Sequence, residues 1–362
     1  MIEPLRIFKG APPQQAQLPL AEFLTWLGRP ALFHLPGQDR SRCRVLVGGL
    51  HGNEPSGFFA VHALLKDPPE LATDAILVIG NVPAALWPPG FYHRFLPHEE
   101  DMNRVWAGGL HTAQRIAAAE ILRYLARHRL EAVVDLHNNT GFNPIYTVLL
   151  RHTATRLALA RHWTHRHVRY EGVSLSSFME VADKFCPGVV IECGQAGDPE
   201  ADLRAYEGAL RYLTAPRPWL NERAAVEEAA IYRCVARVTV PGETTIEFSI
   251  EDVGADITVR PGIDRHNFEV LRAGAQLAKR RGKARLLATD NFGREVTNDF
   301  FEHGDGTISL KRDLIPVMMT NHGRAAKSDC LLYVAERVER ETEPDDHPAT
   351  SAPHGRVARW AR

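Results

Sequence analysis

Imidazole and carboxylate side chains gathered at one point can hold a metal ion, and a further carboxylate beside it can move protons. The sequence offers these groups where apolar runs stop. Val45-Leu46-Val47 leads into Gly48-Gly49-Leu50 and then His51-Gly52-Asn53-Glu54, which sets a His and a Glu three residues apart. A second run, Ala132-Val133-Val134-Asp135-Leu136, ends in His137, and a third, Val189-Val190-Ile191, ends in Glu192. An H-x-x-E spacing alone is weak, because seventeen histidines would supply roughly one by chance. The convergence carries more weight: ligands of open α/β sheets sit beyond the carboxyl ends of strands, and all four residues lie at or just past such ends. Two imidazoles and one carboxylate form an open zinc site, with Glu192 as the natural base for the water. Asp135, two residues before His137, shares its face of the strand and is placed to orient an imidazole. Taken singly, His137 reads more often as a hydrogen-bonded structural residue, and Glu192 as a buried carboxylate held by a partner. Taken jointly, the pattern favours a site.

A second cluster, His93-Arg94 and Glu99-Glu100-Asp101-Met102-Asn103-Arg104, falls in a Pro/Gly-rich stretch that begins at Asn81. Arginine supplies a planar fork of donors for a carboxylate and asparagine a directional amide, so an anionic substrate group is the implied partner. A solvated charged loop is the competing reading.

The elements that must hold these groups follow from periodicity. Between about residues 43 and 215, short apolar runs alternate with helical patterns, as in a sheet with crossover helices. Cys43–Val47 and Ala75–Ile79 read as strands. Pro55 suits a first helical turn, with Phe58, Val61, His62 and Leu65 following at helical spacing. Ala118, Ile121, Leu122 and Leu125 form another amphipathic stripe, and Asp198-Pro199 reads as a helix start before Leu203, Tyr206, Leu210 and Leu213. From about residue 228 the pattern changes to strands and turns: Tyr232–Val240, Ile257–Val259, Ala284–Ala288 and Leu331–Val334. We therefore expect a catalytic domain over residues 1–225, a β-rich domain over 226–340, and a polar, proline-containing disordered tail over 341–362.

Bulk properties set limits. Hydrophobic residues make up 44% and charged residues 24% of the 362 positions, as in an ordinary globular chain. The 43 basic and 44 acidic residues nearly cancel, which leaves no bulk field for nucleic acid or anionic lipid. The five cysteines are scattered and free of C-x-x-C spacing, so neither a disulfide framework nor a cysteine zinc site is expected. With no signal peptide and no apolar stretch of membrane-spanning length, a cytoplasmic location is the expectation.

Gly48-Gly49-Leu50-His51-Gly52-Asn53-Glu54, Asp101-Met102-Asn103-Arg104, Asp135-Leu136-His137-Asn138 and Ile191-Glu192-Cys193-Gly194 together resemble the succinylglutamate desuccinylase/aspartoacylase family, relatives of the zinc carboxypeptidases. The resemblance covers about residues 43–215, in the family's order. It implies a carboxypeptidase-like mixed sheet flanked by helices, followed by a smaller β-rich domain. It further implies one zinc ion per chain on His51, Glu54 and His137, with Glu192 as general base and acid. Arg94 would polarise the scissile carbonyl, and Asn103 and Arg104 would bind the substrate carboxylate. The implied reaction removes an acyl group from a small N-acyl amino acid; homo-oligomer formation stays open. Two departures bear on the substrate: the tyrosine that aspartoacylases contribute from the late β domain has no counterpart near Asn321–Ser328, and the other precedes Glu192. Aspartoacylases carry an arginine about ten residues before the catalytic glutamate, where this chain reads Glu180-Val181-Ala182-Asp183-Lys184, so Lys184 is the substitute contact. The alternatives are a zinc carboxypeptidase acting on peptides, a thiol enzyme using Cys193 with His137 as base, and a non-catalytic zinc- or small-molecule-binding protein.

Overall fold

The computed structural model describes residues 4–169, 171, 176–251, 253–338 and 342–343. Of the polar tail expected from 341, only those last two positions lie within the described residues. In chain order the first strands are β1 (Arg6–Lys9), β2 (Ala31–Leu35), β3 (Asp39–Gly48), β4 (Thr73–Ile79), β5 (Leu130–Asn139), β6 (Tyr146–Leu149), β7 (Arg166–Arg169) and β8 (Gly188–Gln195). Helices α1 (Leu20–Leu27), α2 (Pro55–Lys66), α3 (Val82–Leu86), α4 (Ala113–Leu125), α5 (Ala154–Ala160), α6 (Phe178–Ala182) and α7 (Pro199–Thr214) connect them. The later strands are β9 (Ala230–Thr239), β10 (Ile246–Phe248), β11 (Ile257–Val259), β12 (Gln276–Arg280), β13 (Leu287–Asp290), β14 (Phe301–His303), β15 (Thr307–Leu310), β16 (Ile315–Val317) and β17 (Leu332–Val338).

The large mixed sheet runs β1-β2-β4-β3-β5-β8-β6-β7-β9-β17-β16, with β13 also on β9; a smaller sheet runs β10-β11-β12-β15-β14. At the centre β4, β3, β5 and β8 are parallel, and their side chains are buried on both faces, which is why they read as near-continuous apolar runs. One face packs on α1, α2, α5 and α7 through Phe23, Phe58, Leu64, Leu157 and Tyr212. The other packs on α4 and α6 through Ile121, Leu125 and Phe178.

Helix starts follow the sequence cues. Pro55 opens α2, and the Asp198 side chain accepts from Glu200 N at the start of α7. The large sheet does not stop where the β-rich segment begins: β9 pairs in parallel with β7, and β13, β16 and β17 extend the same sheet. The remaining strands build the smaller sheet around a separate core that includes Ile257, Phe301 and Ile308. Arg44, where β3 begins to pair with β5, is fully buried and donates to Glu131 on β5 at 2.8 Å and to the carbonyls of Tyr212 and Ala215. That pair fastens the sheet to the end of α7. Among the described residues no helix is long and apolar enough to cross a membrane.

Candidate active site

The end of β3 fits only glycine. A Cβ on Gly48 would collide with the Gly57 backbone of α2, and Gly49 adopts φ 69°, a conformation that side chains resist. This close approach of strand and helix delivers His51 and Glu54 to the edge of the sheet. The Glu54 carboxylate lies between two imidazoles, with Oε1 2.7 Å from His51 Nδ1 and Oε2 2.7 Å from His137 Nδ1; Asn138 N also donates to Oε2 at 3.2 Å. One donor atom from each of His51, Glu54 and His137 lies within 4.8 Å of the others.

The outer nitrogens are held as well. His51 Nε2 is 3.1 Å from Asp101 Oδ1, and His137 Nε2 is 2.9 Å from Asp135 Oδ2. Each ring therefore turns Nδ1 to the common centre and Nε2 to a carboxylate, which is how outer carboxylates orient ligating histidines. Arg94 joins the group: its Nε donates to Asp101 Oδ2 at 2.9 Å, and its Nη1 is 3.8 Å from Glu54 Oε1. Against the effect of burial, His51 and His137 hold the Glu54 carboxyl far below its ordinary range, and His51 and Arg94 do the same for Asp101. His137 is raised well above its ordinary value by Asp135 and Glu54 although burial opposes this.

Glu192 sits in the next strand. His137 and Glu192 are register partners across β5 and β8, and Tyr146 is the partner of Glu192 across β6, so the three form one row. Asn139 Nδ2 donates to Glu192 Oε2 at 3.0 Å. Burial pushes the Glu192 carboxyl up to about 8, with Glu54 and Asp135 adding to the rise while His137 and Arg94 oppose it. His137 and Glu192 lie inside their strands rather than past the ends, because the ladder resumes after an irregularity with the pair Asn139 and Gln195. Four carboxylates, from Glu54, Asp101, Asp135 and Glu192, thus crowd around two imidazoles and one guanidinium. That excess of negative charge and the converging nitrogen and oxygen donors fit a divalent metal ion.

The remaining candidates are placed as follows. Asp101 caps the short 3-10 turn Met102–Arg104, accepting from Asn103 N at 2.8 Å. Asn103 Oδ1 accepts from Phe178 N at 3.0 Å, which ties this turn to the start of α6. Arg104 Nη1 donates to Asn103 O at 2.8 Å; the half-buried side chain makes no ion pair among the described residues. Lys184 is exposed, just beyond α6. Cys193 is fully buried, its Sγ faces Ile191 O, and burial pushes its thiol well above the usual value, all of which disfavours a nucleophile. Two participants escaped the sequence reading. Asp101 stood in a recognised motif, but its bond to His51 did not; Tyr146 carries no motif and reaches Glu192 only through the antiparallel return of β6.

Residues 42–207 match the sequence model of the succinylglutamate desuccinylase/aspartoacylase catalytic domain. This part of the chain resembles the catalytic domain of that family. The fold is shared with a succinylglutamate desuccinylase/aspartoacylase from Rhodobacter sphaeroides at 17% identity, covering 84% of this chain and 88% of that one with a TM-score of 0.58. It is also shared with a succinylglutamate desuccinylase from a Silicibacter species, at 15% identity over 85% of this chain and 88% of that one, TM-score 0.55. The ectoine utilization protein of Ruegeria pomeroyi, in a product-bound structure, aligns at 17% identity over 84% and 88% of the two chains with a TM-score of 0.53. A comparison with curated proteins gave no match.

Proposed function

We propose that the protein is a zinc-dependent deacylase that hydrolyses the amide of a small N-acyl amino acid or related carboxylate-bearing amide. The observation that carries this reading is the convergence of His51, Glu54 and His137 beside Glu192, in a segment that resembles a catalytic domain whose family is named for deacylases. His51, Glu54 and His137 would hold the ion, with Asp101 and Asp135 fixing the imidazoles. When bound, the zinc supplies Lewis acidity to a water and to the scissile carbonyl. Glu192 takes the proton from the attacking water and delivers it to the leaving amine. Arg94, steered by Asp101, faces the developing oxyanion. Asn103, whose amide nitrogen has no partner among the described residues, and Arg104, with no acidic partner among them, receive the substrate carboxylate, and Lys184 serves a second acidic group.

The C-terminal strands bear on substrate size. Asn267 Nδ2 donates to Phe142 O at 3.0 Å, Phe142 N to Asp264 Oδ2 at 2.8 Å, and the hydroxyls of Thr140 and Thr320 are 2.9 Å apart. On the opposite loop the Arg324 guanidinium lies 5.9 Å from the Tyr92 ring. Both loops flanking the site are thus touched by the β-rich segment, which favours a small substrate over a long peptide and supports the deacylase over the carboxypeptidase alternative. A panel of N-acyl amino acids and peptides, assayed on zinc-loaded protein, tests this. Turnover is expected for N-acyl amino acids, with KM raised about tenfold or more in Arg104→Ala, the scale of a lost charge-assisted contact. Turnover confined to peptides would contradict it.

A further inference from the structure

The row across the sheet includes two polar groups that the reaction does not consume. Tyr146 is fully buried, and its hydroxyl lacks a well-formed hydrogen-bond partner among the described residues; so does the side-chain oxygen of Asn139. A buried hydroxyl or amide oxygen left this way is costly, and the shortfall is met when the Tyr146 hydroxyl donates to the Asn139 oxygen beside it. The two side chains adjoin each other, and both adjoin Glu192: Asn139 through its 3.0 Å hydrogen bond to Oε2, Tyr146 as the register partner across β6. Burial keeps the Tyr146 hydroxyl protonated, far above its ordinary titration range.

What holds Tyr146 comes from the far part of the chain. Its ring packs 5.0 Å from that of Phe268, which in turn lies 5.1 Å from Tyr232 on β9. Phe268 adopts φ 68° and Met318, in the same cluster, φ 57°. Non-glycine residues held in the left-handed region cost on the order of 1–3 kcal/mol each and persist where surrounding contacts over-determine them. Asn267, beside Phe268, ties this cluster to the 140–143 loop through its bonds to Phe142 O and to the Met319 N and O atoms. The β-rich segment therefore braces the wall behind Glu192.

We propose that Asn139 and Tyr146 are positioning residues for Glu192: the Asn139 amide pins one carboxylate oxygen, Tyr146 holds that amide from the other side, and the Glu192 oxygen left over is the one that carries the proton. This rests on Glu192 being the proton carrier of the proposed deacylase. Pinning Oε2 fixes where Oε1 lies, so proton uptake and delivery use a fixed geometry rather than a searched one.

The test compares Asn139→Ala and Tyr146→Phe with wild type, each loaded with zinc. Tyr146→Phe keeps the ring against Phe268 and so guards against a folding artefact. Two readouts are taken: kcat and KM on an N-acyl amino acid, and the Glu192 side-chain position in crystal structures of the variants. Asn139→Ala should lower kcat about 10- to 100-fold, the scale found when partners that orient active groups are lost. Its KM and zinc content should stay within about twofold, with Glu192 rotated from its wild-type position. Tyr146→Phe should show the same split at smaller size. Glu192 unmoved in both variants, or a loss carried by KM with kcat retained, overturns the proposal. Glu192 displaced in a protein that hydrolyses no N-acyl amino acid would uphold the positioning and overturn the deacylase reading instead.

Discussion

The two ends of β3 and β5 hold charge under opposite rules. Where these strands begin to pair, Arg42 and Arg44 face Glu131 at 2.7 and 2.8 Å, and Arg44 uses further donors on backbone carbonyls. With Asp39 2.8 Å from Arg42 as the second anion, cation and anion are matched there, and the result is an internal tie. At the other end Glu54, Asp101, Asp135 and Glu192 outnumber Arg94, and the histidines share their nitrogens among carboxylates. Buried charge that is paired serves structure, since losing a partner strands the other. Buried acid in excess demands a cation, and burial together with Glu54 and Asp135 raises the proton affinity of Glu192.

Substitutions at the two ends should therefore separate cleanly. The largest effect is expected from Glu192→Gln, which should lower kcat by about 10²- to 10⁴-fold, the range for a lost general base. Metal content and thermal stability should be retained, and a variant that kept wild-type turnover would remove Glu192 from proton transfer. Next, Glu131→Ala leaves Arg44 buried without its carboxylate and should cost about 3–5 kcal/mol in denaturant unfolding. The kcat of the remaining folded enzyme should be unchanged; if activity fell while stability held, the division between the ends would be wrong.

The smallest effect concerns pH and lies away from both ends. Burial lowers His152 and His162 to about 4 and His167 to about 3. A histidine whose folded pKa is depressed binds its proton more readily when unfolded. Its contribution to stability is complete above the unfolded value near 6.5 and is lost as pH falls from there toward the folded value. Melting temperature measured from pH 7 to pH 4 should fall across that window, and more gently in His167→Gln. Equal slopes for the two proteins would show that His167 is not among the causes.

The site was legible where chemistry is written locally. His51 and Glu54 share one turn, and His137 and Glu192 each follow a buried run that marks a parallel strand, so four residues could be gathered without coordinates. Arg94 was legible as a charge near a motif, and the structure brings it onto Asp101 and toward Glu54. The bond between Asp101 and His51, and the place of Tyr146 beside Glu192, depend on how distant segments meet. A β pattern names its own faces but not its neighbour, which is also why turns and apolar runs showed a β-rich segment while hiding that β9, β13, β16 and β17 prolong the large sheet.

On the proposed function, the acidic end of the sheet is built around a catalytic metal ion. Metal content measured together with N-acyl amino acid hydrolysis, before and after removal by a chelator and after re-addition of zinc, tests it most directly. One zinc per chain is expected, with loss of both metal and turnover on chelation and recovery of both with zinc. Undiminished turnover by metal-free protein would contradict it.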